Sequence, residues 1–282
     1  MVVLLGILAG LAFGDLYWAV VKWTQADAGA YWNAALRLRA GQPLYPSGVN
    51  LEASDVYRYA PWFAWLAVPF TYLPVQVAGA IWSCILVLAS TVAVVPLARR
   101  GAWVQVLFFW PILIGISANG NVQALLIAWL VWGVERPSGP LWIALAASLK
   151  LVPLALILVY VGRREWLRAG VTLVVTAVLV APVLLYDLSS YPASAGYAGM
   201  LITWPVLYVV AVAAAALISL RLAGSRYGWL AASTTAALAL PRFFTYDVTL
   251  LLTGIPWARG TERSDASQSG SRGSKIVAPS SS

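Results

Sequence analysis

The 282-residue sequence contains no histidine, a single cysteine and only 10% charged residues. Each shortage excludes a kind of chemistry. Without histidine there is no imidazole base, no Ser-His-Asp triad and no imidazole ligand for zinc. Cys84 stands alone in an apolar run, so disulfides, iron-sulfur clusters and thiolate metal sites are excluded as well. The low charge rules out an ordinary soluble domain, in which about 25% of residues are charged. What the chain has instead is hydrocarbon: 61% of residues are apolar and the mean hydropathy is +0.82. At about 20 residues per span, a chain of this length holds roughly ten membrane-spanning helices and no separate soluble catalytic domain. Carboxylates, arginines, lysines and tyrosines are the groups left for chemistry. The net charge of +8 would suggest nucleic acid in a soluble protein. Here it reads as basic residues gathered in cytoplasmic loops, and no nucleic-acid partner is expected.

The apolar runs place spans at 2–22, 76–98, 102–117, 121–134, 139–149, 151–162, 167–186, 200–220, 227–240 and 245–258. Several are too short to cross about 30 Å of hydrocarbon at 1.5 Å per residue. Such helices are expected to be broken or to border a wet cavity. With the N-terminus in the cytoplasm, this arrangement puts twelve of the eighteen basic residues inside, among them Arg99, Arg100, Arg136, Arg163, Arg164 and Arg168. Lys22, Arg37, Arg39, Arg58, Lys150 and Arg242 are left at or near the outer face. The apolar stretch 59–74 is read as interfacial, because a span there would reverse every later loop. Residues 1–258 form the membrane-embedded domain, with a first outer loop at 23–75. The first apolar run reads as a retained anchor, and the Ser- and Gly-rich segment 259–282 as a disordered cytoplasmic tail.

Within the outer loop, residues 27–41 read as a short helix ending at Gly41, with Ala28, Tyr31, Ala35 and Leu38 on one face. Such a helix lies flat on the membrane with Asp27 at its N-terminal end. Capping and catalysis are both open to Asp27, since aspartate is a favoured cap.

The residues D-x3-Y-x9-G-x-P-L-Y from Asp27 to Tyr45, then Y-x-P-x7-P from Tyr59 to Pro69, resemble the first extracytoplasmic loop of glycosyltransferase family 87. The likeness continues through NGNVQALL at 119–126, AASLKLVP at 146–153 and PRFFTYDVTLL at 241–251. The resemblance implies an all-α polytopic enzyme of GT-C fold, a bundle of about ten transmembrane helices with interfacial helices in the first outer loop. It also implies an active site facing away from the cytoplasm, a polyprenol-phosphate sugar as donor, mannose above all, and the first-loop Asp27 as base. Many relatives carry Trp and His where this chain has Tyr246 and Asp247.

Transfer from a polyprenol phosphate needs one carboxylate and no general acid, because the leaving group is already an anion. Asp27 fits the base and inversion follows from direct displacement. Arg58, Lys150 and Arg242 are candidate phosphate ligands. Lys150 interrupts the apolar stretch 139–162, so a break at Lys150 and Pro153 is expected, with snorkelling as the alternative. Asp247 pairs with Arg242, orients the acceptor or acts as a second carboxylate. Asp15 is placed facing the bundle. Asn119, Asn121 and Gln123 sit at an outer turn where amides bind sugar hydroxyls, cap helices or are simply solvated. Tyr31, Tyr59 and Tyr246 are candidate substrate-binding residues, with rings that can stack on sugar or guide an isoprenoid. No metal or cofactor is expected. The partners expected are the lipid-linked donor, a glycan or glycolipid acceptor and membrane lipids, and the site is the plasma membrane. The competing readings are a transporter or flippase of lipid-linked sugars and a non-catalytic subunit of envelope assembly.

Overall fold

A computed structural model describes residues 2–22, 25–46, 56–188, 203–240 and 243–258. Arg242 and the segment 259–282 lie outside the described residues. The described elements are helical, with no strand among the described residues. A backbone that must satisfy its own hydrogen bonds in hydrocarbon is confined to this choice or to a closed barrel.

The chain opens with α1 (Val2–Val21), followed by α2 (Ala26–Arg39) and α3 (Pro61–Ala67), the latter extended by a 3-10 turn at Val68–Tyr72. Next come α4 (Val75–Arg99), α5 (Trp103–Ala118), α6 (Gln123–Gly133) and α7 (Gly139–Leu149). After a 3-10 turn at Val152–Leu156 the chain continues in α8 (Ile157–Gly162), α9 (Trp166–Val180), α10 (Pro205–Leu222) and α11 (Gly228–Leu238). A 3-10 helix at Thr245–Thr253 and a last turn at Ile255–Ala258 close the described part.

Among the described residues, three segments are long and apolar enough to cross a membrane: Val75–Arg99, Trp166–Leu185 and Pro205–Leu222. Four more apolar segments, Trp103–Ala118, Gln123–Gly133, Gly139–Leu149 and Val152–Gly162, are shorter. An 11-residue helix such as α6 or α7 is about 16 Å long, roughly half the hydrocarbon thickness.

The core is built around α4, which packs on α5 and α6, while α7 packs on α9 and α6, and α10 on α11 and α8. The contacts use small residues, which let helix backbones approach in an apolar solvent. Ala89, Ser90 and Ala93 of α4 are buried in this way, and the Ser90 hydroxyl meets that of Ser117 on α5 at 3.1 Å. Ser219 of α10 and Thr235 of α11 repeat the device at 2.8 Å. On α1, Ala9, Ala12, Leu16 and Ala19 form the less exposed stripe, and the helix leans on α5 and α4. Asp15 lies off that stripe and is exposed, so the expectation that it faces the bundle is corrected. One residue is a turn of 100°, enough to carry Asp15 away from the face that Leu16 buries.

Two irregularities matter for the site. The apolar stretch 139–162 breaks where Lys150 and Pro153 suggested: α7 ends at Leu149 and Lys150 is extended, with φ −134° and ψ 117°. The expected span 245–258 is not a regular α-helix, since nine of its residues form a 3-10 helix. Such runs are uncommon beyond four residues and often mark functional segments. The stretch 59–74 forms only short helices, with Trp65, Leu66 and Tyr72 exposed, in keeping with an interfacial position.

At the far end of the bundle from Lys150, Arg163 grips Glu135 through both guanidinium nitrogens at 2.9 and 3.1 Å and donates Nε–H to the Ala223 carbonyl at 2.7 Å. The Trp229 indole also donates to Glu135, and the Tyr160 hydroxyl donates to the Val134 carbonyl at 2.8 Å. This clasp joins the ends of α6, α8 and α10. Burial raises the Glu135 pKa, but the hydrogen bonds from Arg163 and Trp229 outweigh it and hold the carboxyl below its ordinary value.

Candidate active site

Asp27 sits in the first turn of α2, whose N-cap is Gln25 rather than Asp27. The capping reading therefore fails. Gln25 is buried, and its amide nitrogen donates to the Ser83 hydroxyl of α4 at 2.7 Å and to the Ala118 carbonyl of α5 at 3.2 Å. The start of α2 is thus tied to two core helices. The Asp27 backbone N–H donates to the Asn119 carbonyl at 3.2 Å. With its backbone fixed this way, the Asp27 carboxylate faces the turn between α5 and α6.

That turn supplies two amides to one oxygen. Asn119 Nδ2 donates to Asp27 Oδ2 at 2.6 Å and Asn121 Nδ2 donates to the same atom at 3.1 Å. Among the described residues no donor takes Oδ1. Burial raises the Asp27 pKa above its ordinary value. The Asn121 amide, the Lys150 ammonium, the Asn119 amide and the Arg58 guanidinium offset that rise only in part. A carboxylate in this state holds an acquired proton more readily than a solvated one.

On the other side of the same turn, Asn121 Oδ1 accepts the Gln123 backbone N–H at 2.9 Å. Gln123 Oε1 accepts from Lys150 Nζ at 2.8 Å, while Gln123 Nε2 donates to the Thr249 hydroxyl at 3.2 Å. The Thr249 hydroxyl donates onward to the Tyr246 carbonyl at 2.6 Å. Lys150 Nζ also lies 4.8 Å from the centroid of the Tyr246 ring. Asp247 and Asp27 both attract the ammonium. Asp247 is 3% exposed and its Oδ2 accepts the Phe244 N–H at 2.9 Å, closing the first turn of the 3-10 helix. Asn121 and Gln123 are 4% and 1% exposed, so their amides serve internal partners and not a solvent-facing sugar.

The aromatic residues surround this polar chain. The Tyr31 hydroxyl donates to the Tyr59 hydroxyl at 3.2 Å, and the Tyr31 ring stands edge-on to those of Tyr59, Phe63 and Trp82. Burial raises the pKa of both phenols, so each keeps its proton. Arg58 is exposed beside Tyr59 and within electrostatic reach of Asp27. A cavity of about 290 Å³ lies between α2, α3, α4 and α6, lined by Ala28, Tyr31, Trp32, Phe63, Trp82 and Ile85 among others. Its walls are almost wholly apolar.

The structure therefore brings Asp27, Tyr31, Tyr59, Asn121, Gln123, Lys150, Tyr246 and Asp247 into one region, with Arg58 at its edge. Arg37 and Arg39 lie at the other end of α2, where Arg39 donates to the Thr71 carbonyl at 2.9 Å and stacks on Tyr72. Gln25 and the pairing of Asn119 with Asp27 were not legible beforehand. Their only signal was polarity in an apolar setting.

A bundle of apolar helices thus gathers a carboxylate, an ammonium and an apolar cavity into one region. The family model of glycosyltransferase family 87 matches residues 57–196, which supports membership of that family. The matched stretch includes Arg58, Tyr59, the turn 119–123 and Lys150, and leaves Asp27 and the segment 241–251 outside it. That family implies a glycosyltransferase, an enzyme that uses a sugar donor and an acceptor. Comparison with curated proteins and with solved structures gives no match.

Proposed function

We propose that this glycosyltransferase transfers a hexose, mannose in our reading, from a polyprenol phosphate to a hydroxyl of an extracytoplasmic glycan or glycolipid. The observation that carries the proposal is the Asp27 carboxylate, held by Oδ2 with no donor on Oδ1 among the described residues, with the Lys150 ammonium within electrostatic reach and an apolar cavity lined by its neighbours Ala28 and Tyr31. A polyprenol-linked donor asks for that combination: a carboxylate for the acceptor, a cation for the phosphate and a hydrophobic slot for the chain.

The acceptor O–H gives its proton to Asp27 Oδ1 as its oxygen attacks the anomeric carbon. The bond from that carbon to the phosphate oxygen breaks, and its electron pair leaves with polyprenol phosphate. Attack opposite the leaving group inverts the anomeric centre. No acid is needed, since the departing phosphate is a stable anion. Lys150 and Arg58 offset its charge. Arg242 belongs to this role by sequence. Tyr59 and Tyr246 face the sugar, Tyr31 separates the site from the cavity, and Asp247 steadies Lys150. With ten spans and the basic loops inside, the reaction takes place on the outer side of the plasma membrane.

Asp27→Asn tests the reading. The amide nearly matches the carboxylate in shape but takes up no proton, and loss of a general base costs about 10²- to 10⁴-fold in rate. We expect donor binding and the thermal midpoint of the purified variant to hold while single-turnover transfer collapses. Transfer within a few-fold of the parent refutes Asp27 as the base.

A further inference from the structure

We propose that the turn 119–123 is a bracket that fixes the catalytic carboxylate and the phosphate cation at a set separation. Asn119 and Asn121 position Asp27, and Gln123 positions Lys150. The inference rests on the reading of Asp27 as base and Lys150 as phosphate ligand, and it assigns the amides a role distinct from sugar binding.

The argument is one of continuity and capacity. From Asp27 Oδ2 the hydrogen-bonded path runs to Asn121 Nδ2, from Asn121 Oδ1 to the Gln123 N–H, and from Gln123 Oε1 to Lys150 Nζ. Each step is between 2.8 and 3.1 Å. Asn121 thus uses its amide on one side for the base and on the other for the backbone of the residue that holds the cation. Gln123 uses its carbonyl for Lys150 and its nitrogen for Thr249, which anchors it to the 3-10 helix. Hydrogen bonds in a site with little water are strong and mutually polarising, so the chain is stiff.

The directions are as informative as the connections. Both asparagines address Oδ2, which leaves Oδ1 as the oxygen that receives the acceptor proton. One Lys150 proton goes to Gln123 and the ammonium rests on the Tyr246 ring, leaving donors for a phosphate oxygen. In an in-line displacement the attacking hydroxyl and the leaving phosphate stand on opposite sides of one carbon, so base and cation must hold a fixed spacing. A single turn that grips both sets that spacing.

The two ends of the bracket give different kinetic signatures. The full-length protein in nanodiscs is assayed with polyprenol-phosphate mannose as donor, comparing Asn121→Ala and Gln123→Ala with Asp27→Asn and Lys150→Ala. Asn121→Ala removes a donor from a buried carboxylate. We expect the acid limb of kcat/KM to move up by about one pH unit, since a hydrogen bond to a charged group is worth about that much. We also expect kcat to fall about tenfold or more, with donor KM within twofold. Gln123→Ala should raise donor KM about tenfold and leave the acid limb in place. The limb position and KM do not depend on the fraction of protein that folds, so a low yield does not mimic either result.

If Asp27→Asn is inactive and Lys150→Ala weakens donor binding, but the two amide variants leave kcat, KM and the acid limb unchanged, the bracket is refuted while the base and cation stand. An equal change in all parameters for both variants also refutes it, since a merely structural turn gives that result. An active Asp27→Asn overturns the underlying reading and the bracket together.

Discussion

Replacing Gly120 with alanine should silence the enzyme by moving its proposed base, Asp27, and the size of that movement can be worked out. Gly120 has φ +82°, a region other residues enter at a cost of about 1–2 kcal/mol. A Cβ there would lie 2.5 Å from Ala28 Cβ, 2.8 Å from Ala28 N and 3.1 Å from Ala28 Cα. These atoms belong to the backbone of α2 or to the first carbon of a side chain, so no rotamer change relieves the clash. Reaching ordinary contact at 3.4 Å requires 3.4 − 2.5 = 0.9 Å of extra separation. Ala28 directly follows Asp27, and the Asp27 N–H is bonded to the Asn119 carbonyl, so the shift reaches the carboxylate. Displacement of a catalytic group by about 1 Å costs about 10²-fold in rate. The assay is single-turnover sugar transfer by Gly120→Ala, alongside its thermal midpoint. Gly101→Ala is the control: φ there is +68° but nothing lies within 4 Å of the new Cβ. It carries the conformational cost without the displacement, so it should lose stability and keep its transfer rate. A Gly120→Ala variant within threefold of the parent, or a matching loss in Gly101→Ala, refutes the reasoning.

Two further outcomes follow from the same structure. Lys150→Ala should weaken donor binding by about tenfold or more and leave acceptor affinity nearly unchanged, as read by KM for each substrate, because it removes the cation proposed to face the donor phosphate. Arg163→Met should cost about 2 kcal/mol of stability by stripping Glu135 of its bidentate partner, with both side chains only 21–29% exposed. Because the Glu135 carboxyl is held below its ordinary pKa, this stability is fully present above the ordinary glutamate value and lost as pH falls through the lower folded value. Thermal midpoints of parent and variant should therefore converge in acid, and a constant gap would count against the clasp.

Some of this was legible in the sequence for simple reasons. Lys150 followed three residues later by Pro153 in an apolar stretch announces a break, because a lysine in lipid and a proline in a helix are each costly. Asp27 stood out as an acid at the start of an amphipathic outer helix. Asn119, Asn121 and Gln123 were visible only as polar residues at a turn. Their roles depend on contacts 92, 94 and 126 residues away in sequence, with Asp27 and Thr249. In the sequence the loop arginines read as charge bias alone, whereas Arg163 is bound up with Glu135 and Ala223, 28 and 60 residues distant. Asp15 was misjudged because hydropathy gives depth in a membrane but not direction around a helix.

The paired helices α6 and α7 carry a consequence for how this enzyme can vary. Both are 11 residues long, and they run from Gln123 down to the clasp and back up to Lys150. Their equal length is what brings the two side chains level. One residue inserted in either helix would lift its end by 1.5 Å and swing it through 100°. Substitutions along their apolar faces leave that alignment intact, but a length change in one arm destroys it unless the other arm changes with it. Insertions and deletions in homologues should therefore be absent from 123–133 and 139–149 or occur in both together, a pattern of paired gaps that records a measuring function in an otherwise permissive stretch of hydrocarbon.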